Sequence, residues 1–292
     1  MIESITADKL LKKDIPKIEY LVEGIIPKAG LVYCFGPSGS FKTNFLLYLV
    51  MMGAIGKNVF DFNIKEKFRT LWLDEENRDI GMKDKISKIS NGIGIENGDL
   101  RKINILISEG FNILNKIALD NLDYYINKHN PDLVVIDSIA KVFPLSERNE
   151  GDVRKIYTFL KPFITKYKLT FIIIHHARKK NFMQFTRDIE DISGSREFAA
   201  MADSILLLDE MTNGKYMLKQ VKNRYFQKVY AENFEVTGDD NEMRIIYTGK
   251  AKDKYLAKAL EVKYAIRKWI KDKNIKLFKR KDAVEIMKTE GL

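Results

Sequence analysis

The sequence predicts an α/β fold, with a mostly parallel sheet covered by helices on both faces, antiparallel strands at its C-terminal edge and a small helical appendage. Two observations carry this reading. As far as Leu208, near-continuous apolar runs rich in β-branched residues alternate with helical patterns, as expected of strands buried on both faces. Beyond Leu208 the runs become strands separated by turn residues, at Asn213-Gly214 and Gly238-Asp239-Asp240, which indicates antiparallel pairing.

The parallel strands are expected at Leu31–Phe35, Thr70–Leu73, Ile103–Ile107, Leu133–Ile136, Phe171–Ile174 and Ser204–Leu208. Helices are expected near Thr43–Ile55, Asp79–Ser90, Ile113–Lys128 and Val153–Tyr167. The antiparallel strands are Tyr216–Val221, Val229–Val236 and Met243–Thr248. From Asp253 the pattern is helical: Leu256, Leu260, Tyr264 and Trp269–Ile270 form an apolar stripe, and Asp282–Lys288 a second short helix. This pair is similar to the first part of a helix-turn-helix or winged-helix unit, with a helical lid or subunit-docking arm as the alternative. The expected division is a core over residues 1–250 and a basic helical tail over 251–292.

The 292 residues, 45% hydrophobic and 31% charged, suffice for one large core. No run of 18 apolar residues occurs, so a membrane span is not expected. The first residues lack the basic-then-apolar pattern of a secretory signal, and the single cysteine, Cys34, excludes an internal disulfide framework. These features point to a cytoplasmic protein. Net charge is +10, and 13 Lys/Arg against 6 Asp/Glu place +7 of it in residues 251–292. A basic surface of that kind favours polyanions, nucleic acid first, although lysine-rich solvated helices are also common.

Gly36-Pro37-Ser38-Gly39-Ser40-Phe41-Lys42-Thr43, with Asn44 behind it, lies between a strand and a helix. That is the context of a phosphate-binding loop. A triphosphate needs a nest of backbone N–H groups and the positive end of a helix. Lys42 suits the β- and γ-phosphates, and Thr43 suits Mg2+. The loop departs from G-x-x-x-x-G-K-[ST] at one place, where Phe41 replaces the last glycine. Phe41 is expected in the first helical turn, its ring pointing away from the phosphates.

Three further strand ends carry polar residues. Val134-Val135-Ile136-Asp137 ends in an acid suited to Mg2+-bound water. Thr70–Leu73, expected beside the phosphate-loop strand, ends in Asp74-Glu75-Glu76. One of these acids can polarise the water that attacks the γ-phosphorus, and alternation puts Asp74 and Glu76 on one side of the sheet with Glu75 on the other. Phe171–Ile174 ends in His175-His176, suited to sensing a γ-phosphate. Zinc is the rival reading, but no cysteine or third nearby histidine completes a tetrahedral set.

With these strand ends in order, the chain resembles RecA-fold P-loop ATPases, and within them the group of RepA-type hexameric replicative helicases. The likeness rests on Tyr20 to Pro27, the phosphate loop, Gly53 to Lys57 and Leu73 to Asn77. It continues through Asp137-Ser138-Ile139-Ala140, His175-His176, and Gly194-Ser195-Arg196-Glu197-Phe198-Ala199 to Ala202-Asp203, covering about Lys17 to Arg224. The resemblance implies Glu76 as catalytic base, His176 as γ-phosphate sensor, and residues 181–193 as a loop facing DNA in a ring. It also implies that Lys222 and Arg224 reach the neighbouring subunit's ATP site; an exposed strand end is the plain alternative. The expected protein is thus a Mg-ATP-dependent motor on single-stranded DNA, a homo-oligomer and most simply a hexamer. The alternatives are a RadA- or KaiC-like recombination or repair ATPase that binds DNA without unwinding it, and a regulatory ATP switch.

Overall fold

The computed structural model describes residues 4–251 apart from 16, 108, 144–149, 177–194, 213 and 230. The proposed 181–193 loop, Gly194, Asn213 and the basic tail therefore lie outside the described residues. The parallel strands are β3 (Leu31–Gly36), β4 (Thr70–Asp74), β5 (Ile103–Ile107), β6 (Leu133–Asp137), β7 (Thr170–His176) and β8 (Ser204–Thr212). Three antiparallel strands follow, β9 (Lys215–Asn223), β10 (Glu232–Gly238) and β11 (Met243–Lys250). All nine form one sheet in the order β11-β10-β9-β8-β3-β7-β6-β4-β5, so the expected mostly parallel sheet with an antiparallel C-terminal edge is observed, while the expected helical appendage lies outside the described residues. A short hairpin, β1 (Tyr20–Val22) with β2 (Ile26–Pro27), precedes the sheet. It was not expected, because runs of two or three residues leave no periodicity to read.

Each parallel strand alternates its side chains between two apolar layers. Val32, Cys34, Trp72, Val135 and Ile174 face one layer with helix α2 (Lys42–Ile55) and α3 (Asp79–Ile93). Tyr33, Phe35, Leu73, Ile136 and Ile173 face the other. That second layer is closed by α5 (Lys116–His129), α6 (Ile139–Val142), α7 (Glu150–Tyr167) and α8 (Ser195–Met201). Two short helices, α1 (Ala7–Leu11) and α4 (Asn97–Leu100), complete the described helices. Helix α2 is apolar almost all round and buries Phe45, Leu46, Leu47, Leu49 and Val50, as a helix central to a large core must.

One expectation of topology is corrected. The strand ending in Asp74 does not adjoin the phosphate-loop strand: β3 pairs with β7 and β8, while β4 pairs with β5 and β6. After β3 the chain crosses to the far side of the sheet, and β6 and β7 later fill the gap. Register still keeps the tips level. Asp74 lies opposite Asp137, and Gly36 opposite His176.

Candidate functional site

The C-terminal tips of β3, β7, β6 and β4 converge on the N-terminus of α2. Polar and charged side chains gather there below the surface, with Ser40, Lys42, Asp74, Asp137 and His175 all buried. In the loop after β3, a Cβ on Gly36 would collide with the Leu208 carbonyl and the Ser40 hydroxyl, so the close approach of loop to strand requires glycine. Gly39 holds a positive φ of 77° with open space before it. Lys42 turns its ammonium into the loop, donating to the Gly36 and Pro37 carbonyls at 3.1 and 2.6 Å and to the Ser40 hydroxyl at 3.4 Å.

Phe41 differs from expectation. It is not in the first turn but caps α2 from the left-handed region, at φ 69° and ψ 12°. That conformation explains why a glycine is usual there, because a side chain costs about 1–2 kcal/mol in it. The ring does point away from the loop. It stacks on Tyr216 of β9 at 5.0 Å and lies 6.4 Å from Phe234 of β10, contacts that offset the strain. Asn44, one turn on, faces Met243 with its amide nitrogen 3.8 Å from the sulfur, and its buried carbonyl oxygen has no hydrogen-bond partner.

The Thr43 hydroxyl donates to Asp137 Oδ2 at 2.7 Å, while Asp137 Oδ1 is buried without a hydrogen-bond partner. Burial pushes the Asp137 carboxyl up to about 7, against the lowering effect of the Thr43 hydrogen bond. A hydroxyl and an undercompensated carboxylate oxygen at the foot of a phosphate loop form a hard, oxygen-only donor pair. They fit Mg2+, which takes one or two protein oxygens and completes its shell with water and phosphate.

The three acids after β4 separate cleanly. Asp74 is fully buried and accepts the backbone N–H groups of Glu76 and Asn77 at 2.9 and 2.8 Å. Glu75 turns to the opposite face, as strand alternation predicts, and accepts the N–H groups of Gly110 and Phe111 at 3.1 and 2.9 Å. Glu76 instead reaches Nε2 of His176, 3.6 Å away. Neighbouring strands lie about 4.8 Å apart and β6 separates β4 from β7, so the turn carries Glu76 back over β6. The His176 side chain, then a Ser138 hydrogen bond, hold the Glu76 carboxyl below its ordinary range against the opposing effect of burial.

The two histidines go to opposite faces. His175 packs against Phe35 and Phe198 with ring centroids 4.9 and 5.0 Å apart, and burial depresses it to about 3. His176 joins the phosphate-loop side. Phe198 belongs to α8, the helix that follows residues 181–193, so β7 and that helix are in direct contact. His129, the third histidine, stacks on Tyr125 of α5.

Lys222 and Arg224 lie at the far end of β9, where Asn223 pairs with Ser204 at the start of β8. This is the end of the sheet opposite the phosphate loop. Neither is a bare strand end. Lys222 donates to the Ala199 and Ala202 carbonyls, and Arg224 to the Ala200 carbonyl, with its guanidinium 3.5 Å from Asp203. Both therefore cap the C-terminus of α8, where cations complement the helix dipole. Sequence reasoning missed this capping role and the backbone-binding roles of Asp74 and Glu75. An Asp at the end of a strand, able to accept the N–H groups two and three residues on as in an Asx turn, was the available signal for Asp74.

Comparison with known proteins agrees with this geometry. Residues 1–181 match the model of a family described as AAA domain. Among solved structures, a KaiC-like protein from the hyperthermophilic archaeon Pyrococcus horikoshii OT3 superposes with a TM-score of 0.52 and 19% identity, over 77% of this chain and 93% of that one. At that identity the likeness concerns the fold, which is that of RecA. No curated protein sequence matches the chain. Among the described residues no helix is long and apolar enough to cross a membrane.

Proposed function

From the premise that this chain belongs to the AAA domain family and is a RecA-fold P-loop ATPase, we propose that it hydrolyses Mg-ATP to drive work on single-stranded DNA, as a ring-forming, most simply hexameric, helicase or DNA-remodelling ATPase. One observation carries the catalytic part. Among the described residues Asp74 and Glu75 are tied to backbone N–H groups, while the Glu76 carboxylate meets His176 at the row of strand tips beside the phosphate loop.

ATP is the substrate, cradled by residues 36–44. Lys42 neutralises charge on the β- and γ-phosphates. Thr43 and Asp137 would hold Mg2+, which when bound neutralises phosphate charge and polarises the γ-phosphoryl group. Glu76 accepts a hydrogen bond from a water and takes its proton as the water oxygen attacks the γ-phosphorus. The bond from phosphorus to the bridging oxygen breaks, and ADP leaves with that electron pair. His176 moves between Glu76 and the γ-phosphate, and its neighbour His175 passes the change through Phe198 to α8 and the 181–193 loop. Lys222 and Arg224 rest on α8 at the end of the sheet opposite their own phosphate loop; in this reading their role in hydrolysis is at an adjacent subunit's site.

Turnover tests this reading. Lys42→Ala should abolish hydrolysis, and wild-type hydrolysis should rise with single-stranded oligonucleotide and fall steeply with salt. Full activity in Lys42→Ala would remove the assignment. The second reading, a KaiC-like or RadA-like ATPase that does not unwind, is supported by the KaiC-like fold neighbour. A forked duplex separates the two, since only the motor displaces a strand. A six-subunit mass with a non-hydrolysable ATP analogue and oligonucleotide supports the ring.

A further inference from the structure

The acid nearest the β4 tip has a task distinct from catalysis. Asp74 is fully buried, and its Oδ1 accepts the Glu76 and Asn77 N–H groups. The Asn77 side-chain nitrogen then donates to both Asp74 oxygens, at 3.2 and 2.9 Å. At the other end of that amide, Asn77 Oδ1 accepts Lys85 Nζ at 2.7 Å, from the second turn of α3. Only a group with a donor on one side and an acceptor on the other satisfies both neighbours. An amide does so, and Lys85 sets which way it points.

We propose that Asp74, Asn77 and Lys85 form a hydrogen-bonded relay of positioning residues that holds the Glu76 backbone so that its carboxylate faces His176. The proposal rests on the reading of Glu76 as the residue that directs water. The relay works through hydrogen-bond polarity. In Asn77→Asp a second carboxylate faces buried Asp74. In Asp74→Asn two amide nitrogens face each other, unless Asn77 flips and gives up Lys85. The exchange Asp74→Asn with Asn77→Asp restores the donor–acceptor order along the relay: Asn at 74 accepts both N–H groups through Oδ1 and donates through Nδ2 to Asp at 77, which still accepts Lys85, and only the longer 3.2 Å contact to Oδ1 is lost.

This reciprocity makes the test. Each single variant should lower kcat about 100-fold, the scale of an ångström misplacement of a reacting group, with KM for ATP unchanged. The double variant should recover to within about tenfold of wild type, a coupling visible in the cycle. Lys85→Met, a milder change on the helix surface, should lower kcat several-fold and leave KM alone. Hydrogen exchange supplies a readout that needs no turnover. The Glu76 and Asn77 amides should be protected in wild type, exposed in Asn77→Asp and protected again in the double variant. Wild-type kcat and protection in Asn77→Asp, or no recovery in the double variant, would overturn the relay. Full turnover in Glu76→Gln would instead remove the catalytic reading, while the exchange pattern would still decide the relay.

Discussion

The two halves of the sheet solve different problems. From β3 to β4 the central strands are buried along their length, with both faces covered, and their polar residues sit at one end. Along β11 the residues alternate between half-buried and exposed, and Ile246 keeps 46% of its surface in water. Burial on both faces leaves a strand little room to shift, so a tip such as Asp137 is held within hydrogen-bond reach of Thr43. The antiparallel edge trades that rigidity for reach. Its candidate functional residues, Lys222 and Arg224, are long side chains at the opposite end, resting on the last turn of α8.

The sharpest way to break this comparison is to remove one large side chain from each half. Trp72 is fully buried in the layer beneath α2, so Trp72→Ala should lower the unfolding free energy by about 3–5 kcal/mol. Ile246→Ala should stay within about 0.5 kcal/mol of wild type. Urea unfolding followed by intrinsic fluorescence or circular dichroism measures both. Equal losses would mean that the edge is as tightly built as the centre.

Chemistry offers the next contrast. Glu76→Gln should reduce ATP turnover by about 100-fold or more, as loss of a water-directing or charge-stabilising group does, with nucleotide binding retained. Arg224→Ala should reduce it too, but only because assembled subunits share their sites. Mixing the two variants should then partly restore activity. Unchanged turnover in Arg224→Ala alone would confine that arginine to capping α8.

Much of this was legible in the sequence because double-sided burial writes itself as continuous apolar runs, and several of the runs here stop at a polar residue. Leu133–Asp137 and Thr170–His176 are such cases. Strand order was not legible, since pairing depends on crossovers that leave no local mark, and β4 was wrongly expected beside β3. Nor were the fates of Asp74 and Glu75, because acceptors of backbone N–H groups and acceptors of a water's proton are the same residue type. Only coordinates distinguish an acid saturated by amides from one facing a histidine. The positive φ of Phe41 was half visible, since a glycine-rich loop motif marks the position, but its aromatic partners come from β9 and β10, far along the chain.

The buried histidine sharpens the comparison through pH. Burial, then the neighbouring charge of His176, depress His175 from its ordinary 6.5 to about 3. Between those values the unfolded chain binds a proton there that the folded chain refuses, so His175 contributes stability above pH 6.5 that is lost as pH falls towards 3. The slope is at most about 1.4 kcal/mol per pH unit, or about 2 kcal/mol by pH 5. Urea midpoints at pH 7 and pH 5 should separate less in His175→Gln than in wild type. Parallel shifts in the two proteins would show that other groups carry the acid sensitivity.

Phe41 is where the two halves meet, and its effect is the smallest and most informative. Its backbone takes the conformation of a glycine so that its ring can stack on Tyr216 of the edge. Phe41→Ala keeps the strained φ and loses the stack, whereas Phe41→Gly loses the stack and relieves the strain. The alanine variant should therefore be less stable than the glycine variant by about 1 kcal/mol, the cost of a left-handed Cβ less the extra freedom of an unfolded glycine. A double-mutant cycle with Tyr216→Leu should give a coupling of about 0.5–1.5 kcal/mol. Zero coupling would mean that the edge packs beside the phosphate loop without bracing it, and the antiparallel half would lose its mechanical link to the nucleotide site.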